Sequence, residues 1–124
     1  MSFDAIGIVA ADCEKAIRFY RLLGVEFVGA GDGHEHFEAK TPSGVRLLLD
    51  SVGLIQKFEP DFVKMRGTGV SLCFKQESPK KVDEVYAAIT SAGFEGKKAP
   101  WDAFWGQRYA CVLDPDGNQI DLFA

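Results

Sequence analysis

Histidine is scarce in this 124-residue chain, which holds only two. Cysteine is odd in number and dispersed: Cys13, Cys73 and Cys111 lie far apart, with no CxxC or CxxxC spacing. That excludes a zinc ribbon and a thioredoxin-type redox pair, leaving reduced thiols packed as small hydrophobes. Long hydrophobic runs are missing as well. The longest uncharged apolar stretch, Ile6 to Ala11, is much too short to span a bilayer, so no membrane partner is expected. Nor is there a basic excess: 14 Lys and Arg stand against 18 Asp and Glu, a net charge of −4. Without a basic field, counterion release cannot drive nucleic-acid binding, which is excluded as the main activity. Asp4 falls early and no basic n-region or cleavage pattern follows, so the expected location is cytoplasmic.

Buriable surface, by contrast, is plentiful. Ten Phe, two Trp and three Tyr accompany an apolar fraction of 47% and a charged fraction of 26%, the balance of a folded globular domain. The length suits one domain spanning 1–124.

The chain repeats itself once. Thr41-Pro42-Ser43-Gly44-Val45-Arg46-Leu47-Leu48-Leu49 is echoed by Asp114-Pro115-Asp116-Gly117-Asn118-Gln119-Ile120-Asp121-Leu122. Each copy is a turn, with Pro at its second position and Gly at its fourth, followed by an alternating apolar strand. Each closes a unit that opens with a strand and a helix. In the first, Phe3 to Ala10 reads as a strand. Asp12 caps a helix whose apolar positions are Ala16, Ile17, Tyr20 and Leu23, and Gly24 stops it. Val25 to Ala30 and His34 to Lys40 are strands joined by a Gly31-to-Gly33 turn, and Val45 to Asp50 follows. In the second, Val70 to Gln76 is a strand, and Ser78 with Pro79 starts a helix striped by Val82, Val85, Tyr86 and Ile89. Strands near Phe94 to Lys98, Arg108 to Leu113 and Asn118 to Phe123 complete it. The spacing thus predicts an α+β fold of two βαβββ modules, 1–50 and 67–124, with an irregular or briefly helical linker over 51–66.

These segments resemble the vicinal oxygen chelate superfamily, which groups glyoxalase I, bleomycin resistance proteins and extradiol dioxygenases. The resemblance runs from Gly7-Ile8-Val9 through Phe19-Tyr20 and Gly24-Val25-Glu26-Phe27. In the second half it is carried by Trp105-Gly106-Gln107-Arg108, Asp114-Pro115-Asp116-Gly117-Asn118 and Ile120-Asp121-Leu122. It implies paired modules with curved mixed sheets around a cavity, usually in a homodimer. One fold hosts many functions, so it fixes no reaction.

Metal-using members carry four ligands on cavity-lining strands. The resemblance puts these positions at Ala5, Leu48, Ser71 and Asp121. Ala and Leu offer no lone pairs and a neutral Ser is a poor anchor for a divalent ion, so the expectation is no metal at these positions and no cofactor. His34 and His36, with Glu38 on the same strand face, are the one alternative metal site. The competing reading is a half-exposed polar hairpin face.

Alternation places Phe3 and Gly7 with Ala5, Arg46 and Asp50 with Leu48, Cys73 with Ser71, and Gln119 and Phe123 with Asp121. Ile6, Ile8, Val70, Leu72 and Phe74 would face the helices. The expected ligand-binding set is therefore Arg46, Leu48, Ser71, Cys73, Trp101, Trp105, Arg108, Asp121 and Phe123. Asp121 is the best catalytic candidate, a general base if burial raises its pKa. Otherwise it would meet a cationic ligand or pair with Arg46 or Arg108. Cys73 has no histidine placed to activate it and reads as a buried structural thiol. Trp101 and Trp105 fall on a loop between Pro100 and Gly106, where rings can stack on flat or cationic ligands. Alternatively Trp105 plugs the end of a sheet and Trp101 packs at a dimer interface.

Three functions follow from these readings. The first is a metal-independent binder of the bleomycin-resistance type, sequestering a small aromatic or cationic compound in a dimer cavity. The second is a lyase or isomerase of the glyoxalase type with Asp121 as base and Arg46 or Arg108 as electrophile. The third is a protein-interaction module with a vestigial cavity, contacting its partner through Phe58, Phe62 and Met65.

Overall fold

The repeated turn closes two compact units, Met1–Met65 and Arg66–Ala124, in the computed structural model, which describes residues 1–31 and 34–124. The first unit contains β1 (Ala5–Ala10), α1 (Cys13–Arg21), β2 (Val28–Ala30), β3 (His36–Lys40), β4 (Arg46–Ser51) and α2 (Val52–Phe58). Its sheet runs β1-β4-β3-β2, with β1 parallel to β4 and the other pairs antiparallel. The second contains β5 (Ser71–Lys75), α3 (Pro79–Ser91), β6 (Glu95–Asp102), β7 (Arg108–Leu113) and β8 (Gln119–Phe123). Its sheet runs β5-β8-β7-β6, again with only the first pair parallel. The topology is the α+β arrangement of two βαβββ modules that the spacing predicts.

Local chemistry sets these elements. The Asp12 carboxylate accepts from the Lys15 backbone N–H at 3.1 Å, satisfying one orphan donor at the start of α1. Ser78 does the same for Lys81 at the start of α3, with Pro79 in the first turn. Helical spacing then buries Ala16, Phe19 and Tyr20 on α1, and Val82, Val85 and Ile89 on α3. Alternate strand residues supply the other half of each core: Ile8, Ala10, Leu47 and Leu49 in the first unit, Ala110, Val112, Ile120 and Leu122 in the second. Each large aliphatic side chain so buried contributes about 1.5–3 kcal/mol. One face of each sheet is thereby committed to its core, and the other face is left open for chemistry.

The two copies of the repeated turn differ in one respect. Both place Gly at a positive φ, +92° for Gly44 and +80° for Gly117. Thr41 opens the first turn at the surface, whereas Asp114 opens the second and is 1% exposed. The Asp114 Oδ1 accepts from the backbone N–H groups of Asp116 and Asn118 at 2.9 and 2.8 Å, and Oδ2 accepts from the Asn118 amide at 2.9 Å.

Several boundaries differ from those expected. Residues 25–27 are not strand; Val25 and Phe27 are buried core, and β2 begins at Val28. The linker, expected to be irregular or briefly helical, holds the two-turn α2, capped by Ser51 accepting from the Leu54 N–H at 3.0 Å. Strand β6 runs past Lys98 to Asp102 despite Pro100, because an edge strand with register shifts tolerates a missing donor. Val70 precedes β5 and is 60% exposed, so it does not pack on a helix. The turn expected at Gly31 to Gly33 includes Asp32 and Gly33, which lie outside the described residues.

Candidate functional site

Register decides which residues share the open face of the first sheet. Gly7 pairs with Leu48, Leu48 with Glu38, Asp50 with His36, and Arg46 with Lys40. Since neighbours across a sheet point to the same side, His36, Glu38, Arg46, Leu48 and Asp50 line one face beside Gly7 and Ala5. Their charges form a chain. Asp4 Oδ2 accepts from Arg46 Nη2 at 2.6 Å, Arg46 Nη1 donates to Glu38 Oε1, Glu38 Oε2 meets His36 Nε2 at 3.0 Å, and His36 Nδ1 meets Asp50 Oδ1. Hydrogen bonds accepted by Asp50 and Glu38, reinforced by their charges, hold the His36 pKa above its ordinary value. The bond to His36 leads the effects that lower the Glu38 pKa, and Arg46 adds to it. Arg46 likewise lowers the pKa of Asp4.

This arrangement corrects two expectations. His34 precedes β3 in a bend, so strand alternation does not align it with His36. Both nitrogens of His36 face carboxylates of its own sheet, and among the described residues no group of three His, Cys, Asp or Glu could hold a metal ion. Arg46, expected to meet a ligand or Asp121, is engaged by Asp4 and Glu38.

The open face of the second sheet is built differently. Cys73 of β5, Asp121 of β8 and Cys111 of β7 stand in one row, flanked by the row Ser71, Gln119 and Leu113 and by the row Lys75, Phe123 and Tyr109. Asp121 is 8% exposed. Its Oδ2 accepts from the Tyr109 hydroxyl at 2.7 Å and lies 3.9 Å from the Cys73 thiol, and its Oδ1 accepts from the Gln119 amide at 2.8 Å. All three donors are neutral. Burial, then the bond to Asp121 and its charge, raises the Tyr109 pKa well above the usual phenol range. Cys73, expected to be buried, is exposed because β5 is the sheet edge; partial desolvation and the same charge raise its pKa, and fuller burial with that charge pushes the Cys111 thiol up to about 11. A thiol so protonated is a poor nucleophile.

Aromatic rings cluster on Tyr109, whose hydroxyl binds this carboxylate. Tyr109 stacks on Phe123 at 6.1 Å between centroids and meets Trp101 and Trp105 edge-on at 5.4 and 5.3 Å. Trp101 belongs to β6, opposite Tyr109, and not to a loop. Trp105 lies in the β6–β7 turn and is 48% exposed, so it plugs nothing; its Nε1 donates to Gln107 Oε1 at 2.8 Å. The Lys98 ammonium stands 3.9 Å from the centre of the Trp101 ring, a cation–π contact. Arg108 turns to the other side. It binds Asp83 of α3 through Nε at 2.9 Å and Nη2 at 3.3 Å, and Asp102 through Nη1 at 3.2 Å, so it is not the partner of Asp121.

Tyr109 is the residue that sequence reasoning missed. The signal was present: Ala110 and Val112 are the small and aliphatic core positions of β7, so Tyr109 and Cys111 fall on the open face.

A model of the Glyoxalase/Bleomycin resistance protein/Dioxygenase superfamily matches residues 2–122, and the chain belongs to that family. Among solved structures, a glyoxalase-related enzyme from Fulvimarina pelagi superposes with a TM-score of 0.85 at 20% identity, covering 98% of this chain and 86% of that one. A glyoxalase/bleomycin resistance protein/dioxygenase from Nocardioides gives 0.76 at 25% identity, covering 100% and 83%. A superfamily member from Sphaerobacter thermophilus gives 0.69 at 29% identity, covering 99% and 96%. The comparison with curated proteins returns no match.

Some members of this family hold a metal, and the residues here do not fit one. Ala5 and Leu48 carry no donor atom, and both oxygens of Asp121 already accept hydrogen bonds from their own sheet. No helix among the described residues is long and apolar enough to cross a membrane.

Proposed function

We propose that this protein is a metal-independent, cytoplasmic binder of the bleomycin-resistance type, a homodimer that sequesters a small aromatic or cationic compound, as in antibiotic resistance. The carrying observation is the open face of the second unit, where Trp101, Trp105 and Phe123 gather around Tyr109 and the Tyr109 hydroxyl binds the buried Asp121. Rings offer area at low entropic cost, and one buried polar group fixes orientation, the usual character of a small-molecule site. Ser71 and Cys73, both exposed on the neighbouring edge strand, border the approach. Arg108 is left to hold α3 to its sheet.

A second reading is enzymatic, a lyase or isomerase with Asp121 as general base. The observation favouring it is the Tyr109 hydroxyl, held protonated and donating to that carboxylate at 2.7 Å; once Asp121 takes a proton from substrate, this O–H is released to turn to the developing oxyanion. It replaces the arginines in that role, since both are paired elsewhere.

Native mass spectrometry of protein purified without chelator tests the first reading. The expected result is a metal-free dimer that retains or accepts an organic mass. One stoichiometric divalent ion per subunit would overturn it. Asp121→Asn separates the two readings, because it abolishes turnover in an enzyme and only shifts affinity in a binder.

A further inference from the structure

Asp121 is a buried carboxylate without an ion pair. Its three hydrogen-bond donors, Tyr109, Gln119 and Cys73, are neutral, and no arginine or lysine nitrogen lies within ion-pair distance among the described residues. The two nearby lysines are engaged elsewhere. Lys97 donates to the Gln119 carbonyl oxygen, and Lys98 stands over Trp101. A carboxylate that leaves water without a cationic partner is costly, and the cost is relieved when a cation arrives.

The hydrogen bonds also show where that cation fits. Tyr109 and Gln119 bind at 2.7 and 2.8 Å, but the thiol of Cys73 is a weak donor at 3.9 Å. Each carboxylate oxygen has two lone pairs, so the side of Asp121 facing β5 is under-used. Strand β5 is the edge of the sheet and Cys73 on it is exposed, so this is also the side open to solvent. Tyr109, bonded to this carboxylate, stacks on Phe123 and meets Trp101 edge-on; aromatic faces attract positive charge, and the Lys98 ammonium already stands over that of Trp101.

We infer that the ligand of the second unit is an aryl-alkyl amine in its protonated form, its N–H⁺ bonded to Asp121 on the Cys73 side and its ring laid against Tyr109 and Phe123. The inference rests on the binding reading above and narrows it: the anchor is an ammonium that carries at least one N–H, and not a quaternary cation or a neutral aromatic. A quaternary nitrogen keeps the cation–π attraction but cannot donate to the carboxylate.

Titrating isotope-labelled protein by NMR with matched probes tests it. The probes are 2-phenylethylamine, its N,N,N-trimethyl derivative, 2-phenylethanol and 3-phenylpropionate. The expected result is shifts at Tyr109, Phe123 and Cys73, with the amine binding at least tenfold more tightly than the alcohol. The trimethyl compound should lie between them, and the carboxylate should be weakest. Asp121→Asn should reduce the preference for the amine to less than twofold. Tyr109→Phe, which removes a competing donor but keeps the charge, should retain it, so a loss in Asp121→Asn cannot be ascribed to disturbed packing alone. Equal affinities for amine and alcohol in the wild type would overturn the inference while leaving the binding reading intact. An undiminished preference in a folded Asp121→Asn variant would do the same. The absence of any shift on this face with all four probes would overturn both.

Discussion

Replacing Asp114 by Ala should cost far more than replacing its counterpart Thr41 in the repeated turn. Asp114 accepts from three donors: the buried Asp116 N–H, the part-buried Asn118 N–H and the Asn118 side-chain amide. Hydrogen bonds to a charged group contribute roughly 1.5–3 kcal/mol each, and a buried donor left without a partner costs about 1–3 kcal/mol. The Asp116 N–H carries the full penalty, while the two Asn118 groups recover part of theirs from water. The sum is about 3–5 kcal/mol, a large share of the roughly 5–15 kcal/mol by which a domain is stable. Thr41 is only half-buried and bonds Ser43 Oγ and the Val45 carbonyl oxygen, so Thr41→Ala should cost less than about 1 kcal/mol. Asp114→Asn keeps an acceptor for the two backbone donors but turns an N–H₂ toward Asn118, and should fall between. Urea unfolding followed by circular dichroism reads all three as shifts in midpoint at constant slope. A loss within 1 kcal/mol of Thr41→Ala for Asp114→Ala would refute the claim that this carboxylate organises the turn.

Other outcomes follow from the same geometry. His36 should titrate above its ordinary value of about 6.5 in an NMR pH series. Because its folded pKa is raised, its contribution to stability is complete below about 6.5 and disappears as pH rises through the raised value, a slope that His36→Gln should remove. Glu38, whose pKa is lowered, contributes above about 4.5 and loses that contribution as pH falls through its lowered value. Gly96→Ala should destabilise by about 1–3 kcal/mol in thermal or urea melts, since an added Cβ would stand 2.2 Å from the Tyr86 hydroxyl; no change would mean that the ring swings away freely. Cys73, though exposed, should react with iodoacetamide several-fold more slowly than a free thiol, and Asp121→Asn should accelerate it by removing the nearby charge. Equal rates in wild type and variant, read by mass spectrometry, would contradict that coupling.

The architecture was legible because a turn with Pro and Gly at fixed offsets occurs twice and each copy precedes an alternating strand. Asp12, Ser78 and Gly24 then mark helix ends by local rules that need no tertiary information. The site was legible only in part. Asp121 and Phe123 follow from alternation on β8, but on β7 the choice of Arg108 over Tyr109 is a slip of one position, and a strand repeats every two, so one position exchanges faces. The strand placement of Trp101 was hidden by a different effect: Pro100 reads as a breaker, and only membership of an edge strand makes it acceptable. The partners of Arg46 were hidden because Asp4 and Glu38 reach it through sheet pairing, across 42 and 8 residues of sequence.

The parallel pairing of β5 with β8 carries a consequence for synthesis. Strand β8 lies at the centre of its sheet, between β5 and β7, and the Cys73–Asp121 neighbours are 48 residues apart. Until residue 123 leaves the ribosome, β5 has no partner and the apolar faces of β7 and α3 have half a core. The first unit has all its strands by Ser51 and can close while the second is still being translated. A nascent chain stalled a few residues short of β8 would therefore hold one folded unit and one exposed edge, the state in which chaperones and proteases meet it.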